Sequence, residues 1–155
     1  MSHRKVSNPM HIVLGSDHAG FALKNLLKAH MESLGHHVDD VGTHSQTSCD
    51  YPDIAAAVAK KVQAGDCLGI LVCGSGVGMS MAANRFPGVR AALCTNEYLA
   101  RMSRLHNNAN VLCLGERIIG VDLAKAIAEV FVSTAFEGGR HLRRIEAIER
   151  FTTTL

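Results

Sequence analysis

Residues 70–84 read ILVCGSGVGMSMAAN: an apolar run closed by a cysteine, three glycines on alternate positions, then a segment of small and apolar residues. Extended backward by LG at 68–69, the run is the pattern of a strand buried on both faces, and so of a central strand in a parallel sheet. The glycine-rich turn that follows leads into a helix and presents successive backbone N–H groups at the helix start, an arrangement suited to anions. The thiol of Cys73 at the mouth of this turn raises a second question, because holding an anion needs no thiol.

The same alternation extends to either side. HIVLGS at 11–16 is a second buried strand, and Leu23, Leu26, Leu27, Met31 and Leu34 recur at helical spacing before Gly35. HHVDDVG at 36–42 predicts a short polar strand at the sheet edge. Pro52 suits the first turn of a helix with Ile54, Ala55, Val58, Ala59 and Val62 on its core face. Beyond the glycine loop the pattern predicts a helix near 77–85, strand VRAALC at 89–94, a helix near 96–106 and strand NVLCLG at 110–115. A longer helix then carries Leu123, Ile127, Val130 and Phe131 on one face. After Glu137, Gly138 and Gly139 a last helix begins at Arg140. Strands alternating with helices predict an α/β protein: a Rossmann-like three-layer α/β/α sandwich around a five-stranded parallel sheet. Residues 1–9 read as a flexible N-terminal leader and 10–155 as a single domain.

Composition narrows the function classes. A formal charge of +2 on 155 residues supplies no broad field for nucleic acid, and with Trp absent and aromatics at 5% there are few surfaces for stacking bases. Residues 67–84 carry no charge, yet their glycines and serines suit a strand, loop and helix rather than a membrane span. Five cysteines at 49, 67, 73, 94 and 113 show no paired spacing, and no secretory signal precedes them. That reads as a cytoplasmic protein with free thiols.

In open parallel sheets the ligand lies outside the carboxyl ends of the strands. GSDHAG (15–20), CGSGVG (73–78), CTNE (94–97) and GER (115–117) close four of the strands, so Asp17, His18, Cys73 and Ser75 belong on one rim. RLHNNAN (104–110) ends a helix at the opposite rim, so His106 and Asn107 need a neighbouring subunit to join them. As a nucleotide loop the motif falls short: Met79 stands where a P-loop has lysine, and the glycine spacing is not the dinucleotide fingerprint, although Glu97 lies near the distance of a ribose-binding acid. Cys73 can be read as a small buried hydrophobe, or as a thiolate stabilised by the loop amides and the helix dipole. Asp17 can be a helix N-cap with His18 in solvent, or the pair can be an acid and base beside a bound anion. Arg140 and Arg144 lie one turn apart, either on a solvated face partly neutralised by Glu137 and Glu146 or gripping a phosphate monoester. No metal site is expected; His36, His37, His44 and Cys49 read as surface polar residues without ligand spacing.

In order, GSDHAG, DYPD, CGSGVGMSMAAN, HNNANVLCLG and GGRHLRRIEAI resemble the motifs of the ribose/galactose isomerase family, from about Met10 to the C-terminus. The resemblance implies an aldose–ketose isomerase of the non-oxidative pentose phosphate pathway. It would interconvert ribose 5-phosphate and ribulose 5-phosphate through an enediolate, with no cofactor. By the same resemblance Cys73 is the base that moves a proton between C1 and C2. Ser75, where many members have threonine, hydrogen-bonds the reacting oxygens. The amides of Gly74, Gly76, Val77 and Gly78 belong to the enediolate's anion hole. Asp17 and His106 match residues that open the furanose ring, and Tyr51 and Asn107 match substrate contacts. His18, Arg140 and Arg144 match phosphate ligands, with Arg117 reaching in from the neighbouring subunit. The implied assembly is a homodimer with sites shared across its interface, or a tetramer.

Some members carry serine at the cysteine position and a glutamate later in the loop. GVGMSM at 76–81 holds no acid, which leaves Cys73 without a substitute. Two other readings fit parts of the pattern. Six-carbon phosphates such as allose or galactose 6-phosphate are alternative substrates, but galactose-type members are usually pairs of different subunits, whereas this chain holds a full set of site residues. A non-catalytic sugar-phosphate or nucleotide sensor would keep the glycine loop and the arginines and have no need of Cys73.

Overall fold

The apolar run at 68–73 forms the middle strand of the sheet in the computed structural model, which describes residues 4–152. Residues 1–3 of the expected leader and 153–155 of the expected domain lie outside the described residues. Five strands, β1 (His11–Ser16), β2 (His37–Asp40), β3 (Leu68–Cys73), β4 (Ala91–Leu93) and β5 (Val111–Gly115), pair in the order β2-β1-β3-β5-β4, parallel throughout. Six α-helices alternate with them among the described residues: α1 (Phe21–Ser33), α2 (Tyr51–Gln63), α3 (Val77–Ala83), α4 (Glu97–Leu105), α5 (Val121–Ser133) and α6 (Arg140–Glu149). The expected fold class is the observed one.

Strand alternation sorts the core into two layers. Ile12, Leu14, Ile70, Val72, Leu112 and Leu114 face α1 and α5, while Val13, Leu71, Cys73, Val111 and Cys113 face α2 and α3. Cys73 therefore points to the α2/α3 side. The two sheet edges differ from this core. β2 is polar, as its sequence predicts, and Asp39 lies among His11, His37 and Lys61. β4 has three residues, and on its outer side Asn84 occupies the backbone of Ala91: its Oδ1 accepts from the Ala91 N–H (2.8 Å) and its Nδ2 donates to the Ala91 carbonyl (3.0 Å).

Two expectations change in the helices. Leu26, assigned to the core face of α1, is 44% exposed, and Lys24 is fully buried instead. The cause is Asp40, whose two carboxylate oxygens accept from Lys24 Nζ at 2.8 and 2.7 Å, so the helix turns its lysine inward. His36, read as a surface residue, is buried, and its Nδ1 accepts the Met10 N–H at 2.9 Å. Within the segment read as a leader, Val6 packs against the core and donates its N–H to the Leu34 carbonyl at 2.8 Å.

Asp40 has a calculable role. Burial pushes its carboxyl pKa up, but the Lys24 hydrogen bonds, the Gly42 amide and the charges of Lys24 and Lys28 outweigh this and hold it below the ordinary 3.8. A depressed carboxylate contributes stability that is complete above its unfolded value and is lost as pH falls through the folded one, here at pH values below 3.8. Asp40→Ala strands the buried lysine and should cost about 3–5 kcal/mol in urea unfolding at pH 7. A cost within the range of an exposed-site substitution would show that the pair contributes nothing to the fold.

Candidate active site

β1 and β3 are neighbours whose outgoing connections run to opposite sides of the sheet, so the crevice at their carboxyl ends is the topological switch point. A cavity of about 390 Å³ lies there, lined by Asp17, His18, Tyr51, Cys73, Gly74, Ser75, Gly78 and Arg117, with Ala19 and Ile118. Backbone bonds fix its floor. Asp17 N–H donates to the Val72 carbonyl (3.3 Å), Glu116 N–H to that of Cys73 (2.9 Å) and Arg117 N–H to that of Gly74 (3.0 Å).

The loop after β3 turns at Gly76, whose φ of +82° is a left-handed conformation that a side chain would strain. The turn folds the Gly76 N–H back onto Cys73 Sγ at 3.1 Å, so the sulfur accepts a backbone hydrogen bond. Ser75 Oγ accepts the Val77 N–H at 3.3 Å, and the first-turn amides of Gly78 and Met79 have no intrahelical carbonyl. Gly78 admits the ring of Tyr51: a Cβ there would lie 2.7 Å from the ring. Cys73 itself is 5% exposed, so only its sulfur-bearing end faces the cavity.

Asp17 is the N-cap that its position suggested. Its Oδ1 accepts the Ala19 and Gly20 N–H groups (3.0 and 3.1 Å), capping the short 3-10 turn at His18–Gly20, and the residue still lines the cavity. His18 is not loose in solvent. Its Nδ1 accepts the Cys49 N–H at 3.2 Å, which puts the ring proton on Nε2 as a donor. Glu116, which the sequence reading passed over, accepts the Leu23 N–H on Oε1 at 2.6 Å and so caps α1, whose own N-cap, Gly20, brings no side chain. No sequence signal marks a cap 93 residues away.

Arg117 differs from expectation. The resemblance brought it in from a neighbouring subunit, yet here it lines the cavity of its own chain, with Nη1 3.2 Å from where a Gly74 Cβ would stand. His106, Asn107, Arg140 and Arg144 are not among the residues lining the cavity. His106 is the C-cap of α4, five residues before β5 begins, so it sits at the opposite rim as the sequence predicts. Glu137 N–H donates to the Leu105 carbonyl at 3.1 Å, which draws the start of α6, with Arg140, toward that same end. Glu137, read as partly neutralising the arginines, faces two imidazoles: its Oε2 lies 3.8 Å from Nε2 of both His106 and His141.

Two groups among the described residues bring three potential metal ligands within 4.8 Å of one another: His11, His37 and Asp39, and His106, Glu137 and His141. In the second the imidazoles are 15° from parallel with centroids 4.3 Å apart, so their in-plane lone pairs do not converge on one ion. In the first the rings are tilted by 58°, which leaves convergence possible, but Lys61 also approaches Asp39.

The molecule is thus a parallel α/β protein with a thiol and an anion-suited loop at its switch point. The sequence profile of the Ribose/Galactose Isomerase family matches residues 12–148. The chain is 48% identical over 138 residues to ribose-5-phosphate isomerase B of Escherichia coli (strain K12), an alignment covering 88% of this chain and 93% of that one. It is similar in structure to Clostridium thermocellum ribose-5-phosphate isomerase B, with a TM-score of 0.91, 48% identity and coverage of 93% and 98% of the two chains. It is also similar to ribose-5-phosphate isomerase B of Mycoplasma genitalium solved with bound ribulose-5-phosphate: TM-score 0.90, 42% identity, coverage 94% and 98%. The chain belongs to the ribose/galactose isomerase family.

The cysteines separate by environment. Burial pushes the Cys94 thiol up to about 11, and burial, with the nearby Cys73 and Cys94, pushes Cys113 higher still. Neither can form an appreciable thiolate near neutral pH. Peptide mapping after iodoacetamide treatment of the native protein should therefore find Cys94 and Cys113 unmodified. Labelling of Cys113 at the rate of Cys49 would overturn this assignment.

Proposed function

We propose that the chain interconverts ribose 5-phosphate and ribulose 5-phosphate through an enediolate, with Cys73 as the base. The observation that carries this reading is the Gly76 N–H on Cys73 Sγ, within a cavity that also holds Asp17, His18, Ser75 and Arg117. Proton removal from a carbon beside a carbonyl is difficult because negative charge develops on the oxygen. Preorganised donors aimed at that oxygen contribute about 3 kcal/mol each. The Ser75 hydroxyl and the Gly78 amide, which no helix carbonyl occupies, supply such donors.

The steps follow from these roles. Asp17, with Oδ1 engaged by two amides, keeps Oδ2 for the sugar hydroxyl, and His106 of a second copy carries the proton that opens the furanose ring. Cys73 then takes the C2 proton of the open aldehyde and returns it to C1, while the hydroxyl proton passes from O2 to O1 beside the Ser75 hydroxyl. Tyr51 and Asn107 contact the sugar. The His18 Nε2 donor, Arg117, Arg140 and Arg144 hold the phosphate, whose binding energy orients the reacting carbons.

A homodimer with shared sites is the assembly this chemistry requires, because Cys73 and His106 stand at opposite rims of one sheet. Exposed Met81, Tyr98, Leu142 and Ile148 supply apolar surface for such contacts. Five free cysteines suit a cytoplasmic, reducing setting. No described helix is long and apolar enough to cross a membrane.

The deciding experiment is ketose formation from ribose 5-phosphate in EDTA, with allose 6-phosphate as comparison. Cys73→Ala should lower kcat about a thousandfold and leave ligand binding and dimer intact; retained turnover eliminates the cysteine base. Activity on the hexose alone would keep the mechanism and change the substrate. Arg140→Ala should raise KM for ribose 5-phosphate about 10- to 100-fold, the worth of one charge-assisted hydrogen bond. Its activity on unphosphorylated ribose should barely change, and an equal loss on both sugars removes Arg140 from the phosphate site.

A further inference from the structure

We propose that His141 is a positioning residue for the ring-opening imidazole: stacked on His106 and facing the same Glu137 carboxylate, it fixes where the His106 ring sits. The inference rests on the isomerase reading above and assigns a role within it to a residue outside the cavity.

The geometry begins with the backbone. His106 caps α4 at φ −102°, where the helix ends and the chain departs toward Asn108 in a left-handed conformation. A side chain at such an end has little of its own helix to lean on. What it meets instead is the His141 ring, with centroids 4.3 Å apart and planes within 15° of parallel. His141 is 6% exposed, whereas the His106 side chain is 38% exposed, so the buried ring is the anchor and the open one is the working face.

Two further features keep the anchor in place. The Glu137 N–H bond to the Leu105 carbonyl ties the α5–α6 connection to the last turn of α4. Gly138 and Gly139, at φ +74° and +57°, then reverse the chain so that α6 starts directly beneath His106. Among the described residues the buried Nε2 of His141 has no hydrogen-bond partner, and the Glu137 carboxylate oxygen beside it is 3.8 Å away, beyond hydrogen-bond range. Burial first, then the neighbouring His106, Arg140 and Arg144, lower the pKa of His141 against the opposing pull of Glu137.

His141 also lies between Arg140 and Arg144 on α6. One helix would then carry the phosphate grip and set the position of the ring-opening acid, linking the two ends of the sugar through a rigid element.

The test separates ring opening from proton transfer. Ribulose 5-phosphate cannot close a five-membered ring, because its C5 oxygen carries the phosphate. Its C1 hydrogen can therefore exchange with solvent deuterium through the enediolate alone. His141→Ala should lower kcat on ribose 5-phosphate about 10- to 100-fold while leaving that exchange near the wild-type rate. His141→Phe, which keeps a flat ring under His106, should restore most of the loss. The His106 ring signals in NMR spectra, assigned with His106→Gln, should move in His141→Ala.

Wild-type kcat in His141→Ala overturns the proposal. So does an equal loss in both assays, which would mark a phosphate ligand or a damaged fold, and so does the absence of any recovery in His141→Phe. A wild-type chain that neither isomerises nor exchanges would sink the isomerase reading alone. The His106 signal would then decide the positioning role by itself, an unmoved signal overturning it.

Discussion

Everything chemical in this molecule depends on the parting of two connections. From β1 the chain crosses to β2 on one side, and from β3 it departs to the other, which leaves a crevice between their carboxyl ends. The gap is held rigid by backbone alone, through the bonds from Asp17, Glu116 and Arg117 to the carbonyls of Val72, Cys73 and Gly74. Side chains that reach this crevice inherit the sheet's precision, which is why a thiol, a carboxylate, an imidazole and a hydroxyl can share one small cavity without ties to one another.

The two-residue period of the strands then decides which wall each group faces. Cys73 shares its face with Val13, Leu71 and Cys113, toward α2 and α3. On that side Tyr51 opens α2 and Gly78 sits in the first turn of α3, so the thiol meets an aromatic wall and a row of amides. The same strand geometry keeps His106 away. β5 has five residues at about 3.3 Å each, and His106 precedes one end of it while Arg117 follows the other. One sheet thus carries its two sets of ionisable side chains at opposite ends of its strands.

Local pattern made much of this legible. Continuous apolarity in LGILVC identified the central strand, the acids of HHVDDVG the edge, and alternate glycines the loop at the crevice. The rim assignments of Asp17, Cys73 and His106 needed only the rule that strands and helices run in opposite directions. What escaped were partnerships between distant segments. Lys24 reads as a surface lysine until Asp40 faces it, Leu26 reads as core until that pair turns the helix, and Glu116 reads as loop until it meets the Leu23 amide. The His106–His141 stack is of the same kind: each ring alone is an ordinary histidine, and only the glycine turn at 138–139 makes them a pair.

The sheet edges carry one more consequence. A parallel sheet that ends in an open strand invites strand addition from another chain. Here β2 meets solvent with Asp39 among two imidazoles and a lysine, and β4 has the backbone of Ala91 already satisfied by the amide of Asn84, a side chain imitating a sixth strand. The β4 edge has its Ala91 backbone occupied, and the β2 edge presents charge to an incoming strand. Widening of the sheet by a strand from another copy is thereby disfavoured at both edges.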